Sequence, residues 1–190
     1  IQRDAWPRHE HPFPFLGGKM NAKEPLCASC ARLGKTCCQF SEIHVTRGDV
    51  RRIIQAGHAI GFFEYRTPEN TQYLDQSDDP VWMNHVFRPD GTRRVLQHRP
   101  GGDCVFLGEK GCLLSLEVRP LICRLHPFAY SAEGIYTELS PGCPEHLLTP
   151  PETVLSNLGM SLAPALAWHR MLYEEICDHH DDRFDFRLAV

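Results

Sequence analysis

The chain reads CASCARLGKTCC over residues 27–38, and this stretch decides how the rest of the sequence is interpreted. Two small residues separate Cys27 from Cys30, a spacing that lets two thiolates converge on one metal centre. A glycine lies between that pair and the adjacent Cys37 and Cys38. The stretch therefore predicts a metal-binding loop rather than a strand.

A second group of cysteines follows, with the overall spacing C-x2-C-x6-C-C, then 65 residues, then C-x7-C-x10-C-x19-C. Its members are Cys104, Cys112, Cys123 and Cys143. Soft thiolates favour Zn(II), Cu(I) or iron–sulfur clusters. The eight cysteines are enough for two four-sulfur sites, or for one cluster with additional ligands. Adjacent side chains in an extended segment point to opposite sides. Cys37 and Cys38 therefore fit two neighbouring centres more naturally than one, although a bent loop would relax this.

Disulfide bonding and unrelated buried thiols account for the cysteines less well. A disulfide scaffold needs an oxidising compartment, and nine cysteines in 190 residues are too sparse for a disulfide-stapled domain and leave one unpaired. Unrelated buried thiols are common, but chance placement does not produce two groups with short spacings beside glycines. Metal ligation is preferred, with Cys177 as the outlier.

Composition excludes several classes of partner. The chain has 20 basic and 24 acidic residues, a net charge of −4, and its basic residues are scattered. This pattern predicts neither nucleic-acid binding nor a membrane-surface patch. No run approaches the ~18 apolar residues of a membrane span, and no apolar signal-peptide core lies near the start. We expect a cytoplasmic protein with an unidentified protein partner.

Local signals predict short elements around the cysteines. Thr46 and Asp49 form a capping-box pattern, and the apolar residues after them predict a helix over 47–57. The PDG turn at 89–91 predicts a hairpin from the strand-like runs 81–87 and 92–98.

Further elements are predicted in the second half of the chain. Cys104 and Cys112 are expected on the two arms of a small glycine-rich hairpin. Arg119-Pro120 is expected to start a helical turn that contains Cys123, and 128–131 with 135–139 another hairpin.

The end of the chain is expected to be helical from Pro150, broken at Pro164, with one broad apolar face. That face contains Leu162, Leu166, His169, Leu172, Tyr173 and Ile176.

Together these elements predict an α+β fold: a small, irregular, metal-stapled domain with short β-hairpins and peripheral helices. The predicted organisation is an N-terminal extension over residues 1–26, a cysteine-cluster metal-binding domain over 27–148, and a helical segment over 149–190 packed on the same domain.

The cysteine pattern resembles the YkgJ-type cysteine-cluster family. The resemblance rests on the first four cysteines, on the pair spaced C-x7-C, and above all on RPLICRLHPF at residues 119–128, and it covers about residues 27–143. It implies a domain that chelates zinc or iron. A related motif occurs in a flagellin lysine methylase that holds an iron–sulfur cluster, which is an analogy only.

Charged residues on either side of Cys123 fit this picture. A tetrathiolate site around a divalent metal has a formal charge of about −2, which is costly to bury without compensation. Arg119 and Arg124 flank Cys123 and are candidates to donate to sulfur from outside the ligand set. An ion pair with Glu117 or Asp103 is the alternative.

His126 follows Cys123 at C-x2-H, a spacing acceptable for a mixed ligand set. A histidine that packs in the core or supports a ligand is the preferred interpretation.

Three functions remain open. The first is an iron–sulfur protein, with [4Fe–4S] as the preferred cluster, in electron transfer, redox sensing or cluster handling. The second is a structural protein with two Zn(II) ions that acts as a partner-binding module. The third is a cluster-dependent enzyme of methyl transfer or redox chemistry. The chain lacks a G-x-S-x-G elbow, an HExxH pair and the C-x3-C-x2-C motif of radical enzymes, so catalytic activity is left undecided.

Overall fold

The structure is a computed structural model that describes residues 26–33, 36–140 and 142–178. The predicted extension over 1–26 lies outside these ranges, except for Leu26, which begins the first helix. Within them the chain forms seven α-helices and three two-stranded antiparallel sheets. The predicted α+β class is confirmed.

The elements are short, as expected for a chain interrupted by many glycines and prolines. The helices are α1 Leu26–Arg32, α2 Cys37–Phe40, α3 Arg47–Gln55, α4 Pro80–Val86, α5 Leu121–Leu125, α6 Val154–Asn157 and α7 Leu162–Cys177. The strands are β1 Phe63–Arg66, β2 Arg93–Leu96, β3 Leu107–Gly108, β4 Gly111–Cys112, β5 Phe128–Ser131 and β6 Gly134–Leu139. Two 3₁₀ turns lie at Thr71–Leu74 and Glu145–Leu147.

Helix α3 begins where the capping-box pattern predicts. The Thr46 hydroxyl accepts a hydrogen bond from the Asp49 N–H at 2.9 Å, and the Asp49 carboxylate accepts one from the Thr46 N–H at 3.0 Å. The helix ends at Gln55, and Gly57 follows with φ +90°. The predicted helix is confirmed.

In the hairpin predicted over 81–98, the second arm is a strand as predicted, but the first arm is a helix. Its first arm is helix α4, because Asp79 caps the Trp82 N–H at 3.0 Å and Pro80 occupies the first helical position, where proline is favoured. The second arm is strand β2, which pairs with β1 in the antiparallel register Phe63↔Leu96. The Asp-Pro signal for a helix start outweighs the strand-like residues that follow it.

The later elements are closer to expectation. The turn containing Cys123 is helix α5, and the hairpin predicted from 128–131 and 135–139 is β5–β6, with Ser131 opposite Gly134. Both predictions are confirmed.

The C-terminal helices differ from the prediction in where the chain breaks. Pro164 lies in the first turn of α7, where a missing N–H costs little, and the break is at Gly159, with φ +64°. Leu162 and Leu166 are about half exposed, so the buried face of α7 is narrower than predicted and contains Leu172 and Ile176.

Two apolar clusters form the core. The first joins α4, α5, β5 and α7 through residues such as Trp82, Leu125 and Leu172. The second joins α3 to the β3–β4 region through residues such as Val50 and Phe106. Side chains from both clusters line one shared cavity, so both cores contribute to its wall.

Tyr173→Phe is expected to lower the free energy of unfolding by about 1.5–3 kcal/mol, the range for a hydrogen bond to a charged group. The Tyr173 hydroxyl donates to the Asp79 carboxylate at 2.5 Å and thereby ties α7 to the cap of α4. Urea unfolding measures the loss. Tyr136→Phe removes a bond between neutral hydroxyls, to Ser131 at 2.7 Å, and should cost about 0.5–1.5 kcal/mol. Equal costs for the two variants would contradict this assignment.

Candidate metal centre

The first cysteine pair lies on a helix rather than in a loop. Cys27 and Cys30 are on α1, and residues three apart share a helix face. The N–H of Leu26 donates to Asn157 Oδ1 at 2.7 Å, which anchors the start of α1 to α6. The prediction of a loop was wrong in its backbone, but the helix presents both thiols to the same side.

Cys37 and Cys38 open helix α2, so the extended backbone assumed for them is wrong. Successive side chains in a helix are only about 100° apart, since one turn holds 3.6 residues. Both thiols therefore reach one cavity, and the argument for two separate centres loses its geometric basis. The Cys104 N–H donates to the Cys38 carbonyl at 2.6 Å, which joins the two cysteine groups.

The small hairpin predicted between Cys104 and Cys112 is present as β3–β4. Cys112 lies on β4 as predicted, but Cys104 lies outside the hairpin, before β3. Leu107, rather than Cys104, lies opposite Cys112, because the strands begin three residues after Cys104. Cys104 instead forms an isolated bridge with His98, and its carbonyl accepts from the Leu107 N–H at 2.9 Å.

The eight predicted cysteines are brought to the wall of a single cavity of about 470 Å³. They are Cys27, Cys30, Cys37, Cys38, Cys104, Cys112, Cys123 and Cys143. Within the described ranges, no group of three or more His, Cys, Asp or Glu side chains is arranged to hold a metal ion. The sulfurs are spread around the cavity, and their role as ligands stays a prediction. Cys177 is exposed at the end of α7.

Burial keeps most of these thiols protonated. Desolvation raises the pKa of Cys27 and Cys30 to about 11, and that of Cys104 and Cys143 to about 12. Metal ligation needs thiolates, so binding must displace these protons.

Cys38 is the exception, since its pKa is lowered. The hydrogen bond with Cys37 is the main cause, and Thr36 and the charge of Arg119 act in the same direction. Its negative charge raises the pKa of six of the other seven cavity thiols. They are those of Cys27, Cys30, Cys37, Cys104, Cys112 and Cys123.

The two arginines occupy different environments. Arg119 lines the cavity and donates to the Leu114 carbonyl at 3.0 Å. Burial raises the pKa of Cys112, and the charge of Arg119 and a hydrogen bond from it partly oppose this rise. Arg124 instead donates to the backbone carbonyls of Arg119, at 2.7 Å, and of Glu117. Two donors of Arg124 are thus used by backbone carbonyls of the segment before α5, and its role beside the thiols stays a prediction.

His126 is partly buried and contacts a cysteine directly. Its Nε2 is 3.3 Å from the Cys143 sulfur, and it lines the cavity. Burial lowers its pKa to about 4, so the ring is neutral near pH 7. In the sequence, the C-x2-H spacing from Cys123 was the feature that indicated a histidine near the thiols.

The cavity also contains polar side chains that sequence reasoning missed. Glu42, His44, Tyr73 and Arg93 line it together with the cysteines. They come from the segment between α2 and α3, the first 3₁₀ turn and β2, and no short motif connects them.

The metal-free protein is expected to lose stability as the pH rises from about 9 towards 12. Thiols of the unfolded chain ionise near 9, whereas buried ones such as Cys30 and Cys143 ionise at about 11 and 12. Below pH 9 the thiols are protonated in both states; above it, unfolding releases protons and becomes more favourable. Urea midpoints of reduced, metal-free protein at about pH 8 and about pH 10.5 measure the effect. The metal-loaded protein is the control, and an equal fall in both forms would contradict the thiol origin.

Comparison with known proteins gives one match. The model of a family described as "CxxCxxCC: Putative zinc- or iron-chelating domain" matches residues 26–144, which include all eight cavity cysteines. No curated protein and no solved structure matches the chain. In the part of the chain that the structure describes, no helix is long and apolar enough to cross a membrane.

Proposed function

The chain belongs to the CxxCxxCC family of zinc- or iron-chelating domains, and on that premise we propose that its cavity cysteines hold one iron–sulfur centre, of the [4Fe–4S] type. We further propose a role in electron transfer, redox sensing or cluster handling. The resemblance to the YkgJ-type family is confirmed by the same match. One observation carries the proposal: eight thiols line one cavity rather than two.

The size of the cavity favours a cluster over separate zinc ions. A structural zinc site is closed, with four ligand atoms packed about 2.0–2.3 Å from the ion. Eight sulfurs around about 470 Å³ leave a much larger central space. An inorganic core of four iron and four sulfide atoms has room within such a space. Each of its iron atoms takes one thiolate, so four of the eight cysteines would hold it.

The surrounding residues suit a redox centre. When bound, the cluster supplies one-electron chemistry. Arg119 contributes a positive charge beside the thiols of Cys27, Cys38 and Cys112, which lowers the cost of burying thiolate charge. Apolar side chains, among them Phe106 and Leu114, line part of the remaining wall and restrict water there.

Arg119→Gln is expected to lower the reduction potential, because a nearby positive charge favours the reduced, more negative state. Anaerobic redox titration followed by visible absorption measures the shift. Arg51→Gln removes an exposed arginine from α3 and should leave the potential unchanged. Absence of any reversible reduction in iron-loaded protein would contradict the proposed redox role.

A further inference from the structure

His126 lines the cavity, and the proposed function does not yet use it. It is the first residue after α5 and lies three positions after Cys123, which is on that helix. Residues three apart share a helix face, so His126 continues the side of α5 that carries this cysteine. The cavity wall therefore contains an imidazole beside its thiols.

The β5–β6 hairpin brings Cys143 to the same place from the other end. β5 begins at Phe128, just after His126, and pairs there with Leu139, shortly before Cys143. The Ser140 N–H also donates to the Pro127 carbonyl at 2.6 Å, which holds the open end of the hairpin together. The two segments that leave this end carry His126 and Cys143.

These two side chains are in direct contact. Nε2 of His126 is 3.3 Å from the Cys143 sulfur, and both residues keep part of their surface accessible. A thiolate has no proton and can only accept a hydrogen bond. Nε2 therefore carries a proton when Cys143 is ionised, whether the ring is neutral or charged, and the contact is an N–H···S hydrogen bond.

Cys143 lies where a thiolate needs such a donor. Arg119 favours the thiolate of Cys38, because its positive charge lowers the pKa of that thiol. At Cys143, burial, two neighbouring thiols and the charge of Glu145 all raise the pKa, to about 12. A buried negative charge is costly unless it is paired or hydrogen-bonded.

We propose that His126 is a positioning residue for the iron–sulfur centre: it donates from Nε2 to the Cys143 thiolate, fixes this sulfur as one of the four ligands and raises the reduction potential. The reduced centre has more negative charge on its sulfurs, so a donated hydrogen bond stabilises it more than the oxidised centre. Direct ligation by His126 is disfavoured, since eight thiols line the cavity and a [4Fe–4S] core takes four.

This inference rests on the proposed function, because a reduction potential requires a redox centre. The experiment therefore begins with the iron, zinc and sulfide contents of wild type and of each variant, purified without oxygen. It then uses two readouts. The first is the reduction potential, and the second is the rate of metal release to excess EDTA, which applies to iron and to zinc alike.

His126→Phe removes the donor and keeps an aromatic ring. Metal content should stay unchanged. The equilibrium constant for reduction should fall about tenfold, the effect of one hydrogen bond to a charged group, which is about 59 mV for a one-electron couple. Metal release should become about tenfold faster, the lower end of the range for removing the hydrogen-bond partner of a ligand. If this variant does not fold, His126→Leu takes its place.

His126→Gln places an amide N–H near the position of Nε2. It should restore part of the potential and part of the slow metal release, which a purely structural role of the ring would not produce. His146→Phe is the control, since His146 is exposed and does not line the cavity. It should leave both readouts unchanged.

The inference is overturned if His126→Phe has the wild-type potential, or if His126→Gln is no closer to wild type than His126→Phe. Loss of metal from His126→Phe also overturns it, because the imidazole would then be a ligand itself. Wild-type protein with zinc and no sulfide refutes the iron–sulfur proposal. In that case the hydrogen bond stands if His126→Phe releases zinc faster and His126→Gln restores slow release, and it falls if the release rates are equal.

Discussion

Cys38→Ala is expected to remove most of the bound metal. With two independent centres, the same substitution would remove only about half of it. Cys38 is the second residue of α2, and its lowered pKa makes it the first cavity thiol to ionise. Its charge interacts with cysteines from both halves of the chain, including Cys30 and Cys123. If these sulfurs share one centre, losing the Cys38 thiolate releases the whole centre. Elemental analysis of anaerobically purified variant and wild-type protein measures the loss.

The control for this variant is Cys177→Ala. Cys177 is exposed at the end of α7, and its replacement should leave the metal content unchanged. Cys37→Ala should resemble Cys38→Ala, since both thiols line the same cavity. Retention of half the metal in either cavity variant would instead indicate two independent centres.

Asp49→Ala is expected to lower the free energy of unfolding by about 2–4 kcal/mol, because buried hydrogen bonds to a carboxylate are lost while Arg52 keeps Glu175 as a partner. Asp49 is fully buried and binds Arg52 at 2.6 Å. It also accepts hydrogen bonds from the N–H groups of Thr46 and Leu121, each at 3.0 Å, and so joins α3 to the start of α5. Both N–H groups would lose their partner, which adds to the cost.

The same substitution should weaken metal binding, because α5 carries Cys123 and begins at Leu121. Urea unfolding and competition with a metal chelator measure the two effects on the same preparation. Asp75→Ala replaces an exposed aspartate and should change stability by less than about 0.5 kcal/mol. Unfolding at wild-type denaturant concentrations would contradict the role of Asp49 as the link between the helices.

The elements with local signals could be predicted from the sequence. The Thr46–Asp49 cap and the helical turn after Pro120 each depend on residues within a few positions of one another. Helix α4 could not be distinguished from a strand by its apolar residues alone, and the cap at Asp79 decides in favour of the helix. The burial of α7 differs from the prediction at Leu162 and Leu166, since periodicity cannot show where a neighbouring helix ends.

The candidate site divides in the same way. Cysteine spacing identified all eight thiols of the cavity, because soft ligands at short spacings are a chemical signal as well as a pattern. The polar side chains of the cavity had no such signal: Arg93 meets Glu42 across 51 positions of chain, and only the fold brings them together. The different surroundings of Arg119 and Arg124 also required the structure, since both residues flank Cys123 in sequence.

The most direct measurement is the iron, zinc and acid-labile sulfide content of freshly purified protein kept free of oxygen. We expect coloured protein with iron and sulfide in equal amounts and little zinc, since eight thiols surround one large cavity. Colourless protein that contains zinc and lacks sulfide would contradict the iron–sulfur assignment.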